Sequence, residues 1–409
     1  MKPTPARLAH AEAALAELLR FSRPADQALS AYFRAHRALG QQDRAFIAET
    51  VFAVLRRKRS LEAAAGGATP RALVVAALVR VFGLSGRALE ADAELVARLK
   101  SFSKENLSDA ERADLPDWLW ARLSQEYGPG EAAAIAQGLL APAPLDLRVN
   151  LAKAQRDDVL GRLELEAAAT RYSAAGIRLV GKPQINRHQL FLEGSVEVQD
   201  EGSQLLAYLL APRRGEMVAD FCAGAGGKTL ALAMLMHGAG RIYAMDVSAR
   251  RLGELAPRAA RAGISNVYPI LLSGENDLRA KRLARKLDRV LVDAPCSGFG
   301  TLRRNPDLKW RHDERALGEL AAKQSRILAA ASKLVKPGGR LVYATCSILA
   351  EENEEVVKRF LESNSGFILV PVADILRQQK IPLEQGIQLH LWPHLHGTDG
   401  FFAAAFQRN

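Results

Sequence analysis

Between residues 216 and 345 the chain alternates short apolar runs with stretches long enough to be helices, and this alternation limits the possible folds more than any other feature. The runs EMVADFC, RIYAMD, VYPILL, DRVLVDA and GRLVYAT have apolar centres without alternation, the pattern of strands in a parallel sheet. The segments between them fit crossover helices, so the predicted fold class is α/β, built on a mostly parallel, doubly wound sheet. Ligands of such a sheet sit beyond the C-terminal ends of its strands. The candidate nucleotide-loop, acid and thiol residues all fall at those ends.

The chain has 409 residues, 48% of them apolar and 25% charged, enough for two or three domains with real cores. From residue 5 to about 100, apolar residues recur at helical spacing, as in Phe46, Ile47, Val51, Phe52 and Leu55, with breaks at Gly66-Gly67 and Gly83. The expected organisation is an all-helical domain over 1–105, a linker and helical connector over 106–142 carrying Trp118 and Trp120, a small α/β subdomain over 143–195 and the large α/β domain over 196–409. The run Arg56-Arg57-Lys58-Arg59 closes one predicted helix, where it suits either the negative helix end or a phosphate.

Net charge is +11, and residues 1–100 hold 16 basic against 9 acidic side chains. This favours a polyanionic partner, although an arginine-rich globular protein without one reads the same way. Three cysteines cannot form a disulfide framework and lack metal-ligand spacing, so no metal is expected and the thiols point to a reducing compartment. The start, MKPTPARLAH, lacks the apolar core of a secretory signal, and no run approaches a membrane span. The expectation is a cytoplasmic monomer with no membrane contact.

The first strand runs into Asp220-Phe221-Cys222-Ala223-Gly224-Ala225-Gly226-Gly227-Lys228-Thr229 and then an apolar helix. A glycine turn there brings backbone amides close to a ligand at the positive helix end. Gly227-Lys228-Thr229 matches the end of a phosphate-binding loop of the nucleoside-triphosphatase type. The first glycine of that motif should stand where Cys222 is, which leaves the match incomplete. In the competing reading the loop binds an adenosyl ligand, and an acid about 20 residues on, Asp246 at the end of RIYAMD, takes the ribose hydroxyls. Asp246 also suits a helix cap before Ser248.

The fourth and fifth strands each end in a cysteine, in Asp293-Ala294-Pro295-Cys296-Ser297-Gly298 and Ala344-Thr345-Cys346-Ser347. A buried cysteine is usually inert filler. Two of them at ligand-side strand ends, beside an aspartate and near a lysine, suggest thiolate attack on an electron-poor ring carbon.

AGAGGKT, LVDAPCSG, RRNPDLKW, LVYATCS and HGTDGFF, in this order, together with VQDEGSQ at 198–204, resemble the Sun-type or RsmB-like RNA cytosine-5 methyltransferases over residues 115–409. The segment from Arg23 to Glu62 is similar to the NusB-like RNA-binding domain of bacterial members. The resemblance implies a Rossmann-like class I methyltransferase domain, S-adenosylmethionine as cofactor and an RNA partner, with small-subunit 16S ribosomal RNA ahead of transfer RNA as substrate. It implies Cys346 as the nucleophile, Cys296 in product release, Asp293 on ligand and base, and Lys228 as an electrostatic support. The cofactor loop carries over onto Cys222, Ala223, Gly224, Ala225, Gly226, Gly227 and Lys228, with Asp246 on the ribose. Where the family often has an aspartate after the third strand, this chain reads Ser273-Gly274-Glu275-Asn276-Asp277, so Glu275 or Asn276 is expected at the adenine end. Arg303, Arg304, Lys309 and Arg311 are the expected RNA contacts. A nucleoside triphosphatase and a non-catalytic RNA-binding assembly factor stand as the rival classes.

Overall fold

The computed structural model describes residues 2–89 and 93–409; residues 90–92, inside the expected helical stretch, lie outside them. The chain forms two compact units. One comprises Met1–Pro142 with Thr301–Glu314, the other Ala143–Gly300 with Arg315–Asn409.

The first unit is helical. Its helices before residue 142 are α1 (Pro5–Leu18), α2 (Ala25–Ala35), α3 (Gln41–Arg56), α4 (Lys58–Ala65), α5 (Pro70–Arg80), α6 (Ala93–Ser101), α7 (Asp109–Arg112), α8 (Asp117–Tyr127) and α9 (Pro129–Leu140), and a short helix, Leu308–Arg311, lies in its second segment. Thr4 caps α1 through its hydroxyl, Pro5 occupies the first turn where no donor is needed, and Gly66 ends α4 at φ +72°. Phe46, Ile47, Val51 and Leu55 are buried, and Phe52 packs against the same core. All four residues of the basic run are engaged within the unit: Arg56 donates to the Arg303 carbonyl, Arg57 to that of Leu140 and Arg59 to that of Leu115, while Lys58 pairs with Glu62. No single helix among the described residues is long and apolar enough to cross a membrane.

Two features differ from the sequence reading. The start of the expected linker, 106–115, is packed, because Leu107, Ala110, Ala113 and Leu115 are buried and α7 carries its own capping box from Ser108 to Glu111. The segment 301–314, expected within the large α/β domain, belongs to the helical unit and closes two helix ends there. Asp307 Oδ2 accepts the Ala25 N–H at the start of α2, at 3.1 Å. The Trp310 indole donates to the Leu55 carbonyl at 2.8 Å and Lys309 Nζ to the Arg56 carbonyl at 2.9 Å, satisfying acceptors that the last turn of α3 leaves open.

The second unit holds two sheets. The smaller is antiparallel with order β2-β3-β1-β4, from β1 (Leu145–Val149), β2 (Ala167–Ala169), β3 (Gly176–Leu179) and β4 (Val196–Val198). Because β4 pairs with β1, this sheet runs beyond the boundary expected at 195. The larger comprises β5 (Met217–Asp220), β6 (Arg241–Asp246), β7 (Val267–Leu271), β8 (Leu287–Asp293), β9 (Val335–Thr345), β10 (Phe367–Val370), β11 (Leu389–Leu391) and β12 (Phe401–Arg408), in the order β10-β12-β9-β8-β5-β6-β7 with β11 on β12.

The five strands read from the sequence, β5 to β9, run parallel, and β12 adds antiparallel to β9. Alternate side chains enter cores on opposite faces, Val342 and Ala344 on one and Leu341 and Tyr343 on the other. The VQDEGSQ segment is a junction: Asp200 caps the helix Glu201–Leu210, and buried Glu201 accepts the Tyr172 and Ser173 N–H groups.

Candidate active site

β5 ends at Asp220, and the loop after it turns into the helix Gly227–Leu235. Gly224 (φ +55°) and Gly226 (φ +86°) are left-handed; a Cβ on them would lie 2.3 Å from Arg251 Nη2 and 2.1 Å from Leu255 Cδ1. Glycine is what lets the loop pass this close. The loop is also tied through its carbonyls, Ala225 to Arg258 and Gly227 to Arg148, and through the Ala223 N–H to Met245.

Asp246, at the end of β6, pins the turn. Its Oδ2 accepts the Gly224 N–H at 2.8 Å and its Oδ1 the Ser248 N–H at 2.7 Å. The helix Ala249–Gly253 is capped by Ser248, so Asp246 is not its cap. Asp220 is fully enclosed. Burial pushes its carboxyl up to about 7 despite the Thr229 hydroxyl donating to Oδ2, and its Oδ1 has no partner.

These elements wall a cleft of about 600 Å³ whose lining includes Cys222, Asp246, Glu275, Asp293, Cys296 and Cys346. These six line one cavity, whereas the expected loop residues Ala223, Gly224, Ala225, Gly226, Gly227 and Lys228 are not part of its lining. Asn276 is not in that lining, whereas Glu275 is, held 3.0 Å from Arg326. Asp277 turns away: hydrogen bonds from Arg279 and from the Ser273 N–H occupy its carboxylate and hold its pKa far below the usual range. Burial raises the Cys222 thiol well above its ordinary value.

Parallel pairing of β8 with β9 sets Asp293 opposite Ala344, and beyond these strand ends the two cysteines meet with Sγ atoms 3.4 Å apart. The Cys346 contact first, and burial second, push the Cys296 thiol well above its ordinary value. Lys228 lies in the first helical turn with Nζ 2.6 Å from Asp293 Oδ2 and 5.7 Å from the Phe401 ring centroid. Burial disfavours its charge, but the Asp293 carboxylate more than offsets this, and the ammonium is retained. Lys228 thus serves Asp293 rather than an open phosphate cradle.

The basic residues after the proline-cysteine loop are placed otherwise than expected. Lys309 is 2% exposed and gives its ammonium hydrogens to the Arg56 and Asp114 carbonyls, its pKa lowered by burial to about 7. Arg303 is buried too, and Arg311 pairs with Asp307 at 3.4 Å. Neither Lys309 nor Arg303 offers a cation to an RNA backbone. Arg304 is half-buried. The sequence reading missed two other cations that line the cleft, Arg251 and Lys323, because each sits in a helix where it reads as a solvated face. Among the described residues no group of histidine, cysteine or acidic side chains could hold a metal.

Residues 207–407 match the family model described as 16S rRNA methyltransferase RsmB/F, and residues 115–186 the RsmF/B-like ferredoxin-like domain. The chain is 36% identical over 312 residues to a Synechocystis sp. protein named "Probable ribosomal RNA small subunit methyltransferase B", covering 75% of this chain and 69% of that one. It is 35% identical to the Shewanella oneidensis ribosomal RNA small subunit methyltransferase B, covering 73% and 68%. Among solved structures, PH0851 superposes with a TM-score of 0.81 over 100% of both chains at 27% identity. A methyltransferase homolog protein from Pyrococcus horikoshii gives 0.64 at 31% identity, over 75% of this chain and 100% of that one.

Proposed function

The chain belongs to the RsmB/F family of methyltransferases, and on that premise we propose that it methylates carbon 5 of a cytosine in 16S ribosomal RNA, with S-adenosylmethionine as donor and Cys346 as nucleophile. The observation that carries this reading is the pair of thiols 3.4 Å apart at adjacent strand ends, inside the cleft that also holds Asp293 and Asp246.

The residues suit the donor. The turn at Gly224 and Gly226 packs against Arg251, which lines the cleft, and Asp246, which accepts the Gly224 N–H, stands in the cleft wall at the ribose position of this fold. Cys222 and Glu275 line the remaining wall. S-adenosylmethionine, when bound, supplies an electrophilic methyl group.

Carbon 5 of cytosine is a weak nucleophile, so the chain must activate the ring. Addition of the Cys346 thiolate to carbon 6 forms a carbon–sulfur bond and moves the ring electron pair to carbon 5. The Asp293 carboxylate, fixed by Lys228, can accept from the exocyclic amine of cytosine and so hold the ring in position for attack. After methylation a water molecule takes the carbon-5 proton, the C–H electron pair restores the double bond between carbons 5 and 6, and the carbon–sulfur bond breaks with its pair returning to Cys346 as thiolate. Cys296, in contact with that sulfur, serves this release. With its sulfur 3.4 Å away, a Cys296 that remains a thiol can donate to the Cys346 thiolate before attack. The target base must be unpaired or flipped to be reached.

The test is to incubate the protein with methyl-labelled S-adenosylmethionine and 16S RNA from cells lacking it, then digest and analyse the nucleosides. The expected product is 5-methylcytidine at one position. Label only in transfer RNA would reassign the substrate, and label in neither would overturn the reading.

A further inference from the structure

The two cysteine loops are tied to one buried carboxylate. Glu352 is 0% exposed and accepts four hydrogen bonds, all from neutral donors. Two come from Ser297, which follows Cys296: its N–H at 2.8 Å on Oε1 and its hydroxyl on Oε2. A third comes from the hydroxyl of Ser347, which follows Cys346, also on Oε2. The fourth is the Gln324 amide, 2.8 Å from Oε1, which also donates to the Pro295 carbonyl just before Cys296.

The surrounding contacts close the same frame. The Tyr343 hydroxyl donates to the Glu352 carbonyl at 2.6 Å, the Thr345 hydroxyl to Asn353 Oδ1 at 2.6 Å, and the Asn353 amide to the Ser347 carbonyl at 3.2 Å. Removing the Glu352 side chain would strand several buried polar groups at once.

We infer that Glu352 is a positioning residue for the two thiols: by holding Ser297 and Ser347 on one carboxylate, it sets the separation and facing of Cys296 and Cys346. The inference rests on the proposed thiol chemistry for its effect on turnover, but the placement it describes exists without RNA. The hydroxyls of Ser297 and Ser347, 3.3 Å apart, converge on the same Oε2, so a shift of either loop is felt by the other. Misplacement of a reacting group by about 1 Å can cost on the order of 100-fold in rate.

The experiment compares the full chain with Glu352→Gln and Ser347→Ala, each shown to be folded by thermal melting. Two quantities are read. One is kcat and KM for RNA methylation. The other is the rate at which diamide, taking up the two electrons and two protons lost by the thiols, joins Cys296 to Cys346, read from the crosslinked peptide by mass spectrometry.

The expected result is a fall in kcat of about tenfold or more, with KM for S-adenosylmethionine within twofold, and slower pairing of the two thiols by a similar factor. A merely structural role would lower the melting temperature without changing the pairing rate of the folded protein. Wild-type kcat in a folded variant, or lost kcat with wild-type pairing, overturns the inference. Should Glu352→Gln not fold, Ser347→Ala decides, since it removes one tether and leaves the other three. An inactive wild type would instead sink the proposed methylation, and the pairing rates alone would then judge the placement.

Discussion

Cys296 and Cys346 stand 50 residues apart in the chain and 3.4 Å apart at their sulfurs. Their contact makes opposite predictions for the two thiols. Cys346→Ala is expected to lower methylation by roughly a thousandfold or more and to form no adduct. Cys296→Ala is expected to add to the base and transfer the methyl group but fail to release it. A denaturing gel of each variant expressed in bacteria checks this, since a nuclease-sensitive shifted band should occur in Cys296→Ala alone. A band in Cys346→Ala alone would exchange the roles.

Asp246 holds two backbone donors of the cofactor turn. Asp246→Ala leaves the Gly224 and Ser248 N–H groups without this acceptor and removes the proposed ribose contact, so S-adenosylmethionine affinity should fall by about 10- to 100-fold, the equivalent of 1–3 kcal/mol. Isothermal calorimetry measures it, and an unchanged Kd would remove Asp246 from the site.

Neighbouring glycines should respond very differently to the same substitution. Gly226→Ala forces a left-handed alanine whose Cβ meets Leu255 at 2.1 Å, while a Cβ on Gly227 meets nothing nearer than 3.8 Å. The first should cost about 2 kcal/mol or more of stability, the second less than about 1 kcal/mol. Denaturant midpoints of the two variants give the comparison.

Asp220 should make stability pH-dependent. Its folded pKa, about 7, lies above the ordinary 3.8, so its contribution is complete below about pH 4 and is lost as pH rises through 7. Asp220→Asn, which keeps an acceptor for Thr229, should therefore gain on the wild type between pH 4 and 7, by up to the order of 4 kcal/mol. Parallel stability curves for the two proteins across that range would show Asp220 to be ionised at no unusual cost.

Lys309 is expected to matter for folding rather than for RNA. Replacing it with methionine leaves the Arg56 and Asp114 carbonyls without their donor and should destabilise the helical unit by about 2–4 kcal/mol. Thermal melts check the stability, and filter binding checks the affinity for RNA. A stable variant with weakened RNA binding would restore Lys309 to the interface.

What the sequence disclosed follows from the range of the interactions involved. β5, β6, β8 and β9 were legible because strands in the middle of a sheet leave apolar runs, the edge strand β7 carries such a run although Tyr268 and Leu271 are exposed, and the glycine turn was legible because strand, turn and helix are contiguous. β12, FFAAAFQR, was not read as a strand: three alanines carry little strand preference, and pairing with β9, β10 and β11 makes them one. Lys309 was misread because its acceptors lie on Arg56 and Asp114, 253 and 195 residues away, and no local pattern encodes them. Glu352 stood hidden in an acidic run, EENEE, that resembles any solvated helix start, although its side chain is enclosed.

The membership of residues 301–314 in the helical unit has a consequence for how the protein is made. Residues 1–142 leave the ribosome first, and α2 and the last turn of α3 then lack Asp307, Lys309 and Trp310. At ordinary elongation rates the missing segment follows roughly 10–30 s later. The helical unit is therefore completed only after β8 and the Cys296 loop have been synthesised, which ties the maturation of one unit to the emergence of the other, and a fragment cut at residue 142 would be missing a piece of its own fold.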